Sequence, residues 1–284
     1  MTTVAYQGEP GANSHMAALE AYPNAETLAC ATFEDAFAAV TGGEADLAMI
    51  PIDNTVAGRV ADIHLLLPDT PLQIVGEHFL RIRFSLLGVP GATIEGAREV
   101  HSHVHALAQC RGFIRAHGLT PVVAGDTAGS AREVAEWGDP AKLSIAPPLA
   151  AERYGLTVLA SDIEDQQHNT TRFVVLAPPR EYPQADGSQY VTSFVFRVRN
   201  IPAALYKALG GFATNGVNMT RLESYMVEGR FAATMFMVDV EGHPDEPALA
   251  RALEELEFFS TQLRILGVFP AHPRRFGSTK ASRD

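Results

Sequence analysis

The chain is poor in cysteine, basic residues and long apolar runs, and each shortage removes a class of function. Its two cysteines, Cys30 and Cys110, cannot build a disulfide framework or a four-thiolate zinc site. Both are read as small core residues of a protein from a reducing compartment. Lys and Arg number 22 against 33 Asp and Glu, a formal net charge of -11. A nucleic-acid or anionic-membrane partner would need a broad basic face, so neither is expected, and an anionic ligand must meet a locally positive site. No stretch of about 18 apolar residues occurs, and Met1-Thr2-Thr3-Val4 has neither the basic nor the apolar part of a secretion signal. The expected location is the cytoplasm.

What is present is 284 residues, 46% hydrophobic, enough for two domains with ordinary cores. As far as Leu176, short apolar runs at 3–6, 47–50, 82–87, 122–124, 158–160 and 173–176 alternate with helical patterns such as 32–40, 60–67 and 104–117. Thr32-Phe33-Glu34-Asp35 has the form of a capping box, and Gly118 stops the longer helix. Residues 178–188 hold three prolines and a glycine among few apolar side chains and read as a linker. Beyond them Tyr190, Thr192, Phe194, Phe196 and Val198 alternate as a strand with one buried face. Leu205, Ala208, Leu209 and Phe212 share one helical stripe; Leu249, Ala252, Leu253 and Leu256 share a second. Strand runs at 217–227 and 230–240, joined at Glu228-Gly229, and at 262–269 complete the order βαββαβ, the ferredoxin-like plan. From Pro270 the chain is polar and is expected to fray.

Several segments place polar groups where an α/β sheet puts its ligands. Gln7-Gly8-Glu9-Pro10-Gly11-Ala12-Asn13-Ser14 joins a strand to a helix and suits either a tight turn or an anion at the helix N-terminus. Its G-x-x-G spacing excludes the dinucleotide fingerprint. In Pro51-Ile52-Asp53-Asn54-Thr55, capping of the next helix and ligand binding both account for Asn54 and Thr55, with Gly58 allowing close approach. His101, His103 and His105 alternate, but a helix from Val104 scatters their imidazoles, so no metal is assigned. Ser102 and His103 instead suit hydrogen bonding at the helix start. Asn169-Thr170-Thr171-Arg172-Phe173 runs into the strand Val174-Val175-Leu176, setting a hydroxyl, an amide and a guanidinium at a strand mouth. No G-x-S-x-G elbow or Cys-His nucleophile arrangement is evident, which leaves covalent acyl transfer without support.

Taken in order, these segments resemble the prephenate dehydratase family with a C-terminal ACT regulatory domain. The match runs through Ser14, Pro51-Ile52-Asp53-Asn54-Thr55, then Ser102, His103, Ala106, Leu107, Gln109 and Cys110, and finally Asn169 to Phe173. The resemblance implies a two-lobed periplasmic-binding-protein-like catalytic domain, residues 1–177, then a linker at 178–188, an ACT domain at 189–270 and a polar tail at 271–284. It further implies decarboxylative dehydration of prephenate to phenylpyruvate without metal or cofactor. Thr171 and Arg172 would be catalytic, Thr171 donating to the departing hydroxyl and Arg172 fixing a carboxylate or orienting the loop. Ser14, Asn54, Thr55, Ser102, His103, Asn169 and Phe173 would bind substrate.

L-phenylalanine is implied as an inhibitory effector held by Ala203, Ala204, Leu205, Asn215, Asn218, Glu223 and Ser224. Two family motifs are altered here, since Ala203 replaces a glycine and Tyr225-Met226 replace Arg-Pro after Glu223-Ser224. A homodimer or homotetramer is expected, paired through the strand that begins near Gln189. Arogenate dehydratase remains a rival enzyme reading. A non-catalytic amino-acid-responsive binding protein is the rival outside enzymes, opposed by the intact Thr171-Arg172-Phe173.

Overall fold

The computed structural model describes residues 1–60, 63–166, 168–226 and 233–276. Their contacts divide the chain into two units, Met1–Ile63 with His78–Phe173, and His64–Glu77 with the chain from Val174 onward. In order, the elements as far as residue 81 are β1 (Thr3–Gln7), α1 (Asn13–Ala21), β2 (Glu26–Cys30), α2 (Phe33–Thr41), β3 (Leu47–Asn54), β4 (Gly58–Arg59), α3 (Ile63–Leu66) and β5 (Gln73–Arg81). Next come β6 (Ser85–Gly88), β7 (Glu99–Ser102), α4 (Val104–Gln109), α5 (Arg111–Ala116), β8 (Thr120–Val123), α6 (Thr127–Trp137), β9 (Lys142–Ala146), α7 (Pro148–Tyr154), β10 (Thr157–Ala160) and β11 (Thr170–Ala177). The last are β12 (Tyr190–Arg197), α8 (Ala204–Thr214), β13 (Met219–Met226), β14 (Ala233–Glu241), α9 (Pro247–Phe259) and β15 (Gln262–Pro270), before a 3-10 turn at Pro273–Phe276.

The catalytic part has the expected two α/β lobes. One is built on a sheet of order β2-β1-β3-β11-β5, with β4 paired to β3; the other has order β10-β6-β9-β7-β8. In the first sheet β1 runs parallel to β2 and β3 and is buried through Val4, Ala5 and Tyr6, against Ala17 and Ala18 of α1 and Phe37 and Val40 of α2. The α2 start is the expected capping box, with Thr32 and Asp35 exchanging side-chain and backbone hydrogen bonds of 3.1 Å. In the second lobe Leu87, Ala128, Ala131, Ala146 and Ala150 form a core of small side chains that lets α6 and α7 lie close to the sheet.

Several elements differ from expectation for identifiable reasons. The run at 82–87 becomes strand only at Ser85, because the Ile82 N–H donates to the Asn169 carbonyl (2.9 Å) and the Phe84 N–H to the Glu164 carboxylate (3.0 Å). The strand from Leu47 continues to Asn54, whose side chain turns the chain into β4 and caps no helix. Of the pattern at 60–67, Ile63–Leu66 is helical, and residues 61–62 lie outside the described residues. The helix at 104–117 is broken at Cys110 into α4 and α5; Gly112, two residues on, donates its N–H to Asp165 (3.1 Å).

The C-terminal unit has the ferredoxin-like order βαββαβ on an antiparallel sheet β13-β14-β12-β15. Phe194, Phe196, Phe212, Phe236 and the Leu249, Ala252, Leu253, Leu256 stripe share one core, as the two helical periodicities imply. The β12 strand was expected to bury one face. It lies between β14 and β15 and is buried on both, so β13 and β15 are the edges. The joining turn Glu228-Gly229 lies outside the described residues.

The stretch after Pro270 is not frayed as far as residue 276. Arg275 turns inward and holds the Glu77 carboxylate through both oxygens (2.5 and 2.8 Å), with Thr220 Oγ1 at 3.0 Å and Asp239 Oδ2 at 3.8 Å. The Glu77 and Asp239 side chains are fully buried. Removing one partner of a buried pair strands the other charge, so Arg275→Met should lower stability by about 3 kcal/mol. An unchanged urea midpoint would contradict this assignment.

Candidate active site

A cavity of about 290 Å³ in the first unit is lined where β3 and β11 meet the starts of α1, α4 and α6. Asn54 closes β3, Thr171 and Phe173 come from β11, and Asn13 and Ser14 open α1. His103 caps α4, and Thr127 opens α6. Ile82, Phe84 and Phe173 give one wall an apolar surface.

The polar groups at its centre form a chain whose direction follows from donor and acceptor identity. Asn54 Oδ1 accepts the N–H groups of Val56 (2.9 Å) and Ala57 (2.7 Å). The amide nitrogen must then be Nδ2, and it donates both to Asn169 Oδ1 (2.7 Å) and to Thr171 Oγ1 (2.9 Å). Asn169, 1% exposed, passes its own amide hydrogen to Gln109 Oε1 (2.7 Å). Thr171 therefore accepts a hydrogen bond from the protein and keeps its own hydrogen for another acceptor. The side chain is 8% exposed and lines the cavity.

Among the described residues lining the cavity there is no Lys, Arg, Asp or Glu. Positive potential comes instead from α1, whose N-cap is Ala12 and carries no side-chain cap, so the first N–H groups of a nine-residue helix stand beside the cavity. His103 adds an imidazole. Burial lowers its pKa below the ordinary value, and nearby His105 lowers it further against the opposing pull of Asp126.

Of the nine catalytic and substrate-binding candidates, Ser14, Asn54, His103, Thr171 and Phe173 line this cavity, and Asn169 joins it through Asn54. Arg172 does not. Side chains alternate along a strand, so with Thr171 and Phe173 facing the cavity Arg172 faces away, its Nη1 3.9 Å from Asp53 Oδ2. Orienting the loop fits that placement; holding a substrate carboxylate does not. Ser102 is fully buried and donates to the Ile145 carbonyl. Thr55 ties β3 to β11, donating from Oγ1 to the His168 carbonyl (2.9 Å) and accepting the Thr170 N–H (2.9 Å). Gln109, Asn13 and Thr127 are cavity residues that the sequence reading passed over. Gln109 belongs to the segment that begins at Ser102, and Asp126, which caps α6 by accepting the Gly129 N–H (2.6 Å), marks the start that carries Thr127.

The C-terminal unit has its own cavity, about 550 Å³, lined by Ala203, Ala204, Leu205, Glu223 and Ser224. Phe236 forms part of its apolar lining. Ala203 has φ +61°, a left-handed conformation that glycine adopts without a β-carbon penalty. Asn215 and Asn218 lie past the other end of α8. Asn215 Nδ2 is committed to the Gly211 carbonyl and Glu255, and Asn218 is exposed beyond it. The 11-residue helix α8 thus separates Asn215 and Asn218 from the cavity at its start.

The prephenate dehydratase family model matches residues 4–181. The chain is 54% identical over 272 residues to a bifunctional N-acyl-homoserine lactone acylase/prephenate dehydratase of Komagataeibacter europaeus, covering 96% of this chain and 97% of that one. It is 38% identical over 276 residues to arogenate dehydratase/prephenate dehydratase 2, chloroplastic, of Arabidopsis thaliana, covering 94% and 72%. Among solved structures, a prephenate dehydratase from Arthrobacter aurescens in complex with L-Phe is similar with TM-score 0.87 and 31% identity, over 99% of this chain and 97% of that one.

Burial lowers the pKa of both His103 and His15 below 6.5. The unfolded chain therefore takes up these protons first, and the stability they contribute is complete above pH 6.5 and declines as pH falls through the lowered values. The urea midpoint should drop between pH 7.5 and 5.5, and drop less in His103→Gln. Equal slopes for the two proteins would contradict the assignment for His103.

Proposed function

Because this chain belongs to the prephenate dehydratase family, a family of lyases, we propose that it converts prephenate to phenylpyruvate in L-phenylalanine biosynthesis, as a cytoplasmic enzyme. The observation that carries this is the polarity of the Asn54–Thr171 pair, which leaves the Thr171 O–H as a donor into a cavity with an apolar wall.

Prephenate carries two carboxylates and a ring hydroxyl. One carboxylate docks at the N–H groups opening α1, with Ser14 and Asn13 beside it. The ring lies against Phe173, Ile82 and Phe84. There the ring carboxylate is poorly solvated and leaves as carbon dioxide, its bonding pair entering the ring as the C–O bond breaks. Thr171 donates a hydrogen bond to the departing hydroxyl; a threonine is a weak acid, so its contribution is geometry and stabilisation of developing negative charge. Asn54 holds the Thr171 hydroxyl in place, Asn169 holds Asn54, and Gln109 holds Asn169. Arg172 steadies the loop through Asp53.

We read residues 1–177 as the catalytic domain, 178–188 as linker, 189–270 as an ACT domain and 271–284 as tail. Phenylalanine would occupy the second cavity, its carboxylate at the start of α8 and its ring against Phe236, and inhibit by binding one conformation of the enzyme better than another. The dimer contact we place on the open edge β13, flanked by exposed Leu222, Met226, Ile201 and Tyr206. Light scattering should then give at least twice 30.6 kDa; a monomer at micromolar concentration would remove this reading.

Purified protein assayed with prephenate and with arogenate tests the activity. Prephenate should be the better substrate; turnover of neither would sink the reading. Thr171→Ala should lower kcat by roughly 10²–10⁴ with a smaller change in KM, while Thr171→Ser keeps more activity because the donor survives. Phenylalanine should release or absorb heat on titration and reduce the rate; no heat and no rate change would remove it as effector.

A further inference from the structure

The turn between β1 and α1 carries Asn13 and Ser14 to the cavity, and one buried imidazole holds its far end. Gly8 and Gly11 have φ of +114° and +96°, and a β-carbon on Gly11 would stand 2.9 Å from Ala150 Cα. The turn thus takes a conformation and a clearance that only glycine supplies. Backbone bonds secure its beginning, Gly8 N–H to the Cys30 carbonyl (2.9 Å), and its middle, Ala12 N–H to the Glu9 carbonyl (3.1 Å). The Gly11 N–H goes elsewhere. It meets His15 Nδ1 at 3.0 Å in a buried position.

His15 is the third residue of α1 and lies flat on Tyr6 of β1, centroids 4.9 Å apart and planes 6° from parallel. Its Nε2 is 3.2 Å from Thr27 Oγ1 of β2. An N–H can only donate, so Nδ1 presents its lone pair to Gly11, the ring proton sits on Nε2, and Thr27 accepts it. A second ring proton would face the Gly11 N–H directly. The ionisable groups around the ring are Tyr6 from β1 and Arg153 from α7, and both burial and Arg153 oppose protonation.

We propose that His15 is a positioning residue: by accepting the Gly11 N–H it fixes the Gly8–Ser14 turn, so that the uncapped start of α1 presents its amides, Asn13 and Ser14 to a substrate carboxylate. The inference rests on the dehydratase reading for its substrate, but the held turn itself does not depend on that reading. His15 is not itself among the residues that line the cavity, and acts through Gly11.

Two variants separate positioning from bulk packing. His15→Leu fills similar space without an acceptor, whereas the side-chain oxygen of His15→Asn takes the place of Nδ1 and does not titrate. With prephenate at pH 7.5, His15→Leu should raise KM about tenfold, the worth of a hydrogen bond to a charged group, with kcat changed less. His15→Asn should recover most of that loss and move the acid limb of the kcat/KM profile to lower pH. Amide exchange of Gly11 should quicken in His15→Leu and stay slow in His15→Asn. Wild-type KM and acid limb in His15→Leu would overturn the proposal. If wild-type protein fails to turn over prephenate, the activity reading falls and Gly11 exchange alone decides: unchanged protection in a folded His15→Leu protein overturns it.

Discussion

The side-chain amide of Asn54 has one orientation available to it. Its oxygen takes two backbone N–H groups from the turn that follows β3, which commits its nitrogen to Asn169 and Thr171. Everything chemical about the cavity inherits that direction. Were Asn54 free to flip, the Thr171 hydroxyl would donate to an amide oxygen and have little left to offer a leaving group. The turn between β3 and β4 therefore sets the polarity of a hydroxyl more than a hundred residues later in the chain, through a single amide. Asn169 and Gln109 extend the same polarity and have no other geometry that satisfies all four groups.

An acidic protein that binds a dianion without a cationic side chain among the described lining residues needs another source of positive potential. The uncapped start of α1 supplies fixed N–H dipoles, which cost no side-chain entropy to order. A lysine at the apolar wall, by contrast, would stabilise the ring carboxylate whose departure the reaction requires. Neutral donors around an apolar wall fit a reaction whose charge moves from the ring carboxylate to the departing hydroxyl as carbon dioxide leaves. The C-terminal unit follows the opposite policy. Glu77, Arg275 and Asp239 form a buried ionic cluster that joins the His64–Glu77 segment, the sheet and the turn after β15.

What could be read from the chain beforehand was what depends on neighbours in sequence. The Thr32–Asp35 capping box, the two leucine-rich helix stripes and the βαββαβ order all have local causes, and all are present. The strand mouth at Asn169–Phe173 was legible as a site, and strand alternation already contained the fact that Arg172 and Thr171 must face opposite ways. The break at Cys110 was not legible, because the Gly112–Asp165 contact beside it reaches 53 residues along the chain. Arg275 and Glu77 are 198 residues apart, and nothing near either one marks the pairing. The bonds of Asn215 to Gly211 and Glu255 were not legible either, because they are set by helix packing.

The central claim is that Asn54 makes Thr171 a donor, and Asn54→Asp tests it with almost no change of shape. The aspartate still accepts the Val56 and Ala57 N–H groups, but its second oxygen can only accept, so the Thr171 hydrogen turns towards it and away from the substrate. Single-turnover rates with prephenate, measured for Asn54→Asp, Thr171→Ala and the double variant, read this directly. The account predicts that each single variant loses roughly 10²-fold or more and that the double variant loses little beyond either one. Near wild-type chemistry in a folded Asn54→Asp protein, or losses that simply multiply, would contradict it.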